Sequence, residues 1–156
     1  MYTGPHVGWK AKPKMNKQPP SELTAAADGG TGTAKPTYER LLAARGSVVG
    51  LHSDAEWEEA KALTMAHPEV ALIVDFTAVW CGPCQRIAPD FARMAKEYPT
   101  ALFVKVDVDE LEDVMQEAGV VAMPTFQVYR GGELTDKTTG ADVDKLGTMV
   151  KSATAK

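Results

Sequence analysis

Residues 75–84 read Asp-Phe-Thr-Ala-Val-Trp-Cys-Gly-Pro-Cys, and they join two segments of different periodicity. The run 70–76 is almost continuously apolar, which is typical of a central strand covered on both faces. Residues 82–98 instead carry apolar side chains at helical spacing. The stretch therefore predicts a buried strand that passes into a helix, with Cys81 and Cys84 at the start of that helix.

Strands and helices alternate on both sides of this junction. The capping-box spacing of Ser53 and Glu56 predicts one helix start, and Gly131-Gly132 indicates a hairpin. The further expected elements are strands over 47–51, 102–108, 125–130 and 134–139, and helices over 53–67, 110–118 and 143–150. This order predicts an α/β fold, a three-layer α/β/α sandwich with a mixed central β-sheet.

Composition narrows the class of protein. A chain of 156 residues is long enough for one domain with a core, and 44% apolar with 24% charged residues is typical of a globular protein. No apolar run approaches the roughly 20 residues that span a bilayer, which argues against a membrane protein.

The first 45 residues differ from the rest of the chain. They hold half of the ten prolines, a glycine-rich patch and no apolar periodicity, so we expect a disordered extension followed by one domain over 46–154. Residues 1–45 contain seven Lys or Arg against three acidic residues, whereas 46–156 contain ten against eighteen. Because nucleic-acid binding relies on clustered Lys and Arg, the acidic domain argues against a nucleic-acid partner.

The basic extension leaves two interpretations open. It lacks the apolar core of a secretory signal. Its first 21 residues carry four Lys and no acidic residue, as in an organelle transit peptide, yet they also carry four Pro and no Arg. The alternative is a solvated tail without a targeting role.

A reactive role explains the two cysteines better than a structural disulfide that stabilises the fold. A bridge between Cys81 and Cys84 closes so small a ring that it removes little entropy from the unfolded chain. A helix start instead stabilises a thiolate, which is the species that attacks disulfides. Pro83 suits the first turn because it lacks an N–H, and Cys84 lies one turn further on the same face.

Two other roles for the cysteines fit the sequence less well. A zinc site needs four ligands, and the only histidines, His6, His52 and His67, do not have the usual spacing. Two inert buried cysteines would not need Gly-Pro between them.

Four separated motifs occur in order along the chain: residues 75–84, Ile87-Ala88-Pro89, Lys105-Val106-Asp107 and Ala122-Met123-Pro124-Thr125. Together they resemble the thioredoxin family, and its plant h-type members especially. The resemblance covers residues 46–154 and implies a thioredoxin fold. Gln85 departs from the pattern, since a basic residue often follows the second cysteine in the family.

The resemblance also implies roles for individual residues. Cys81 and Cys84 form the redox disulfide, Asp75 accepts the proton of Cys84, and Lys105 lies near that carboxylate. An Asp inside an apolar strand is costly to ionise, so its pKa should be raised. Pro124 matches the family's cis-proline. The implied substrate contacts are Trp80, Gly82, Pro83, Met123, Pro124, Gly140 and Ala141.

The implied activity is reduction of protein disulfides by a monomer that binds no cofactor. A separate thioredoxin reductase would restore the dithiol with electrons from NADPH or ferredoxin, and the partners would be disulfide-containing target proteins. The resemblance favours a cytoplasmic location, with an organelle as the alternative. The competing hypothesis is an interaction subunit whose fold matters more than its thiols.

Overall fold

The structure is a computed structural model that describes residues 36–155. The predicted disorder of the extension and its possible targeting role fall on residues that lie mostly outside this range. The helices are α1 (Thr37–Ala43), α2 (Asp54–Ala66), α3 (Gly82–Glu97), α4 (Glu112–Glu117) and α5 (Val143–Thr154). The strands are β1 (Val48–Leu51), β2 (Leu72–Thr77), β3 (Leu102–Asp107), β4 (Thr125–Arg130) and β5 (Glu133–Thr139).

The five strands form one mixed sheet in the order β1-β3-β2-β4-β5. β1 and β2 flank β3 in parallel, and β4 pairs antiparallel with β2 and with β5. β2 is therefore the central strand, and five of its six residues are buried. The mixed sheet and its helices confirm the predicted three-layer fold.

Alternate residues of the central strands pack into two separate hydrophobic cores, one on each face of the sheet. Val74 and Phe76 pack with Trp57 of α2 on one face, where the Trp57 and Phe76 rings meet edge to face at 5.9 Å. Ile73 packs with Ile87 and other α3 side chains on the opposite face. This alternation is the two-residue period of a strand covered on both sides.

Helix α2 begins as its sequence predicts, with one difference in the cap. The Glu56 N–H donates to the Ser53 Oγ at 3.1 Å, which is one half of a capping box. The Glu56 carboxylate accepts from the His52 N–H at 2.6 Å, not from Ser53, and pairs with Arg40 of α1 at 2.8 Å. Glu56 thus joins α1 to the start of α2.

Helix α1 belongs to the folded unit, which begins at Thr37 and not at the expected Gly46. Leu41 is 2% exposed and packs in the core that contains Trp57. The contact with α2 and the burial of Leu41 in the core make this short helix part of the domain, and the local sequence between Pro36 and Gly46 does not indicate these contacts.

One further boundary differs from the expectation. Helix α4 begins at Glu112 and not at 110, because the Asp107 carbonyl accepts from the N–H groups of Glu110 and Leu111 in a turn. In α5, Leu146 and Val150 are buried, whereas Val143 at its first position is 37% exposed.

Within the described part of the chain, no helix combines the length and the apolar character needed to cross a membrane.

Replacing Leu41 tests whether α1 contributes to the stability of the domain. Truncating a buried leucine leaves a cavity, so Leu41→Ala should lower the free energy of unfolding by about 2–4 kcal/mol. The measurement is urea unfolding of the oxidised full-length chain. Tyr38→Ala on the same helix is the control, because Tyr38 is 46% exposed. An unchanged midpoint for Leu41→Ala would show that α1 does not belong to the cooperative unit.

Candidate active site

The two cysteines lie where β2 ends and α3 begins. Cys81 is the N-cap of α3 in an extended conformation, and Cys84 lies in the first turn. Their sulfurs form a disulfide, with the Cα atoms 5.3 Å apart. Cys81 is 6% and Cys84 is 1% exposed, so the first sulfur is the more accessible of the two.

The helix start favours negative charge on the Cys81 sulfur. The Cys84 N–H donates to the Cys81 Sγ at 3.2 Å, as a capping side chain accepts from the first turn. The same N–H and the positive end of the helix dipole would stabilise a thiolate at Cys81 after the disulfide opens. Pro83 occupies the first turn without leaving a further N–H unpaired.

Asp75 is a buried carboxyl group in the middle of β2. It is 4% exposed, and it is the only acidic or basic residue in the buried class across residues 36–155. Among those residues, its Oδ1 is also the only buried side-chain oxygen or nitrogen without a hydrogen-bond partner. Burial raises the pKa of Asp75 to about 7, and the charge of Lys105 opposes that rise.

Lys105 and Asp75 face each other across neighbouring strands. The register pairs them directly, and Gly50 of β1 is the next residue in the same row. Asp75 also has the same parity along β2 as Ile73, which packs with the side chains of α3. The carboxyl therefore lies on the sheet face that α3 covers, while Lys105 is exposed.

The segment before β4 reaches the same edge of the sheet. Thr125 pairs with Phe76 near the end of β2, so Pro124 lies close to the point where the chain leaves for Cys81. The Met123–Pro124 peptide bond is cis. The Gly140 N–H donates to the Pro124 carbonyl at 2.8 Å, which brings the end of β5 to this loop.

Exposed apolar side chains lie in the loops at this edge. Val79 is 77% exposed and Trp80 is 63% exposed, both directly before Cys81. Val121, in the loop that leads to Pro124, is 92% exposed. Met123 is partly buried against the core that includes both cysteines. These side chains can contact an apolar surface on another molecule.

The histidines described by the structure pair with carboxylates. His52 Nδ1 lies 3.1 Å from Glu110, and His67 Nδ1 lies 3.5 Å from Glu69. Within residues 36–155, no group of three or more His, Cys, Asp or Glu side chains is arranged to hold a metal ion.

Comparison with known proteins gives the family. The family model for thioredoxin matches residues 48–152. The chain is 44% identical over 105 residues to thioredoxin H-type 2 of Nicotiana tabacum, covering 67% of this chain and 88% of the relative. It is 46% identical over 107 residues to thioredoxin H-type of Ricinus communis, covering 68% and 89%. The chain belongs to the thioredoxin family.

Solved structures agree with this assignment. Thioredoxin NaTrxh from Nicotiana alata superposes with a TM-score of 0.66 at 37% identity, covering 69% of this chain and 92% of that one. Thioredoxin f from spinach chloroplast, in its long form, gives 0.67 at 30% identity, covering 75% and 94%. The predicted thioredoxin fold is thus confirmed, and the chain is a thiol–disulfide oxidoreductase of a family that acts as protein disulfide reductases.

Sequence reasoning missed some residues at this thioredoxin site. Asp109 accepts a hydrogen bond from the Trp80 indole Nε1 at 2.7 Å, a contact between loops that no local pattern indicates. The exposed Val121 was also missed, although an apolar Val-Val pair between Gly119 and Pro124 is a visible signal. Gln85 was noted only as a departure from the family pattern.

Removing the buried carboxyl should change how stability depends on pH. Because folding raises the pKa of Asp75 to about 7, the folded state holds a proton that the unfolded state has already lost. Stability from this group is therefore complete below about pH 4 and is lost as the pH rises to about 7. Asp75→Asn should gain on the order of 3–4 kcal/mol over wild type between about pH 4 and pH 8.

The measurement is urea unfolding of oxidised wild type and oxidised Asp75→Asn across that pH range. Because both proteins carry the same other carboxylates, the contributions of those groups cancel in the difference between the two free energies of unfolding. Asp113→Asn is the control, because Asp113 is partly exposed on α4. A difference between Asp75→Asn and wild type that stays constant with pH would contradict the raised pKa.

Proposed function

We propose that Cys81 is the nucleophile of a protein disulfide reductase and that Cys84, assisted by Asp75, resolves the intermediate. The observation that carries the proposal is the combination of two features. A disulfide lies at the amino end of α3, and a buried carboxyl, whose Oδ1 has no hydrogen-bond partner, lies on the sheet face that this helix covers. The amino end of α3 favours a thiolate at Cys81, and the Asp75 carboxyl provides a proton acceptor.

The first step is attack of the Cys81 thiolate on a target disulfide. A bond forms between Cys81 Sγ and one target sulfur, the target S–S bond breaks, and the other target sulfur leaves as a thiolate. Cys81 suits this step because it is the more exposed cysteine and its sulfur accepts the Cys84 N–H.

The second step releases the target. Cys84 gives its thiol proton toward the Asp75 carboxylate and attacks Cys81 Sγ, so the mixed disulfide breaks and the second target thiolate leaves. Two electrons pass to the target, and the Cys81–Cys84 disulfide is left behind. A pKa near 7 suits Asp75 to this role, since the carboxyl can both accept and release a proton near neutral pH. Lys105, opposite it in the register, favours the charged form.

Substrate recognition is proposed to use the loops around the sulfurs. Trp80, Gly82 and Pro83 surround the nucleophile on its own loop and helix, and all three are exposed. Met123, Pro124, Gly140 and Ala141 are proposed to contact the target from the other side. The hydrogen bond between Gly140 and Pro124 keeps these two loops together.

The dithiol is proposed to be restored by a separate thioredoxin reductase, with electrons from NADPH or ferredoxin and no cofactor bound to this chain. The partners are that reductase and target proteins with disulfides. One chain holds every residue of the proposed site, so we propose that it acts as a monomer. The similarity to plant h-type thioredoxins supports a cytoplasmic location.

Single cysteine variants separate the two proposed steps. Cys81→Ser should abolish reduction of insulin disulfides, because no thiolate remains to attack. Cys84→Ser should attack once and stay joined to its target. The measurements are insulin reduction with dithiothreitol and non-reducing gels of target mixtures. Turnover that persists in Cys81→Ser would refute Cys81 as the nucleophile.

A charge in the proposed recognition surface should weaken target binding. Val121→Asp should raise KM for a protein disulfide about threefold or more while kcat changes little. The reason is that the charge weakens binding of the target equally in the ground state and in the transition state. Met65→Asp is the matched control, since Met65 is also an exposed apolar residue, 66% exposed, but contacts the hairpin turn at Gly132. Equal KM values for the two variants would argue against a role for Val121.

A further inference from the structure

Gln85 holds both ends of the short segment that carries the nucleophile. Its side-chain Nε2 donates to the Ala78 carbonyl at 3.0 Å. Its backbone N–H donates to the Cys81 carbonyl at 3.2 Å. One residue in the first turn of α3 is thus tied to the beginning and to the end of the segment 78–81.

The Ala78 carbonyl oxygen accepts two hydrogen bonds from residues that follow it closely in the chain. Ala78 is fully buried, and its oxygen also accepts from the Cys81 N–H at 3.2 Å, which closes the turn. A carbonyl oxygen only accepts, so the amide nitrogen of Gln85, and not its oxygen, must face it. Both lone pairs of the Ala78 oxygen are thereby used, one by the nucleophile's own N–H and one by Gln85.

The importance of this contact depends on the redox state. In the oxidised form, the Cys81–Cys84 bond joins the segment to α3 covalently. Reduction breaks that bond, whereas the hydrogen bond from Gln85 involves no sulfur and remains. The dithiol is the form that attacks a target, so the geometry of Cys81 matters most when the covalent link is absent.

We propose that Gln85 is a positioning residue that holds the Cys81 segment in place in the dithiol form. The proposal rests on Cys81 as the nucleophile. Gln85 acts through the Ala78 carbonyl and does not itself touch the reacting sulfurs. It is also neutral, so it fixes the segment without adding a charge beside the thiolate.

Two substitutions remove the donor in different ways. Gln85→Glu keeps the shape, but a carboxylate cannot donate to a carbonyl. Gln85→Met keeps nearly the same length, has no donor and adds no charge. If the lost hydrogen bond is the cause, both variants should accelerate exchange of the Cys81 amide alike, and Gln85→Met, which adds no charge near the thiolate, is the variant whose activity is compared. Gln116→Glu and Gln116→Met are the controls, because Gln116 is an exposed glutamine on α4.

The decisive readout is hydrogen exchange of the Cys81 amide, measured separately in the disulfide and dithiol forms. Each Gln85 variant should accelerate exchange about three- to tenfold in the dithiol form, as expected for one lost hydrogen bond, and much less in the disulfide form. A residue with only a general structural role would change both forms equally. The kcat/KM for insulin should fall by a similar factor, and the Gln116 controls should change neither quantity.

Unchanged exchange in the dithiol form, or an equal increase in both forms, would overturn the positioning role. Exchange needs no enzymatic activity, so this result is independent of the test of the nucleophile. Turnover by Cys81→Ser would instead refute the proposed function while leaving the exchange result in place.

Discussion

The burial of β2 on both faces is the constraint on which the rest of the structure depends. Its neighbours β3 and β4 and the helices on either side exclude water from nearly the whole strand. The strand therefore has no exposed residue until it ends, and the chain then turns directly into α3 at Cys81. The same burial removes solvent from Asp75, which lies within the strand. The place of the disulfide after the strand and the raised pKa of the carboxyl within it thus both depend on this buried strand.

The site combines parts with opposite electrostatic requirements. The amino end of α3 favours a negative sulfur at Cys81, because the Cys84 N–H donates to it and the helix dipole is positive at this end. The interior of the sheet disfavours a negative carboxylate at Asp75 and keeps it near the point of protonation at neutral pH. The redox disulfide and a carboxyl with a raised pKa therefore lie on one strand and the helix that follows it. Exposed apolar residues around the sulfurs leave this surface open to a protein target.

Much of this could be predicted from local patterns. The apolar run over β2, the helical period of α3 and the Gly-Gly turn each depend on neighbouring residues, and the structure confirms them. A carboxyl inside an apolar strand was similarly visible in the sequence at Asp75. The role of Pro124 depended on the family resemblance, because an X–Pro bond is cis in only about 5–6% of cases.

The features that were missed depend on contacts between distant segments. Helix α1 joins the domain through Leu41 and the Arg40–Glu56 ion pair, and neither contact follows from local periodicity. The Trp80–Asp109 hydrogen bond joins two loops that are far apart in sequence. The sequence shows only that Gln85 lacks the charge usual at this position, whereas its hydrogen bond to the Ala78 carbonyl depends on the fold. Local patterns predict elements, whereas the positions of loops depend on what the folded sheet brings together.

The most direct test is the titration of the Asp75 side chain itself. Carbon-13 NMR of the carboxyl group, followed against pH in the oxidised protein, reports its ionisation without any substitution. We expect a midpoint at about 7, well above the ordinary value of 3.8 for an aspartic acid. A midpoint near 3.8 would mean that the carboxyl is already ionised at neutral pH, and it would contradict the proposed control of the Cys84 proton by burial.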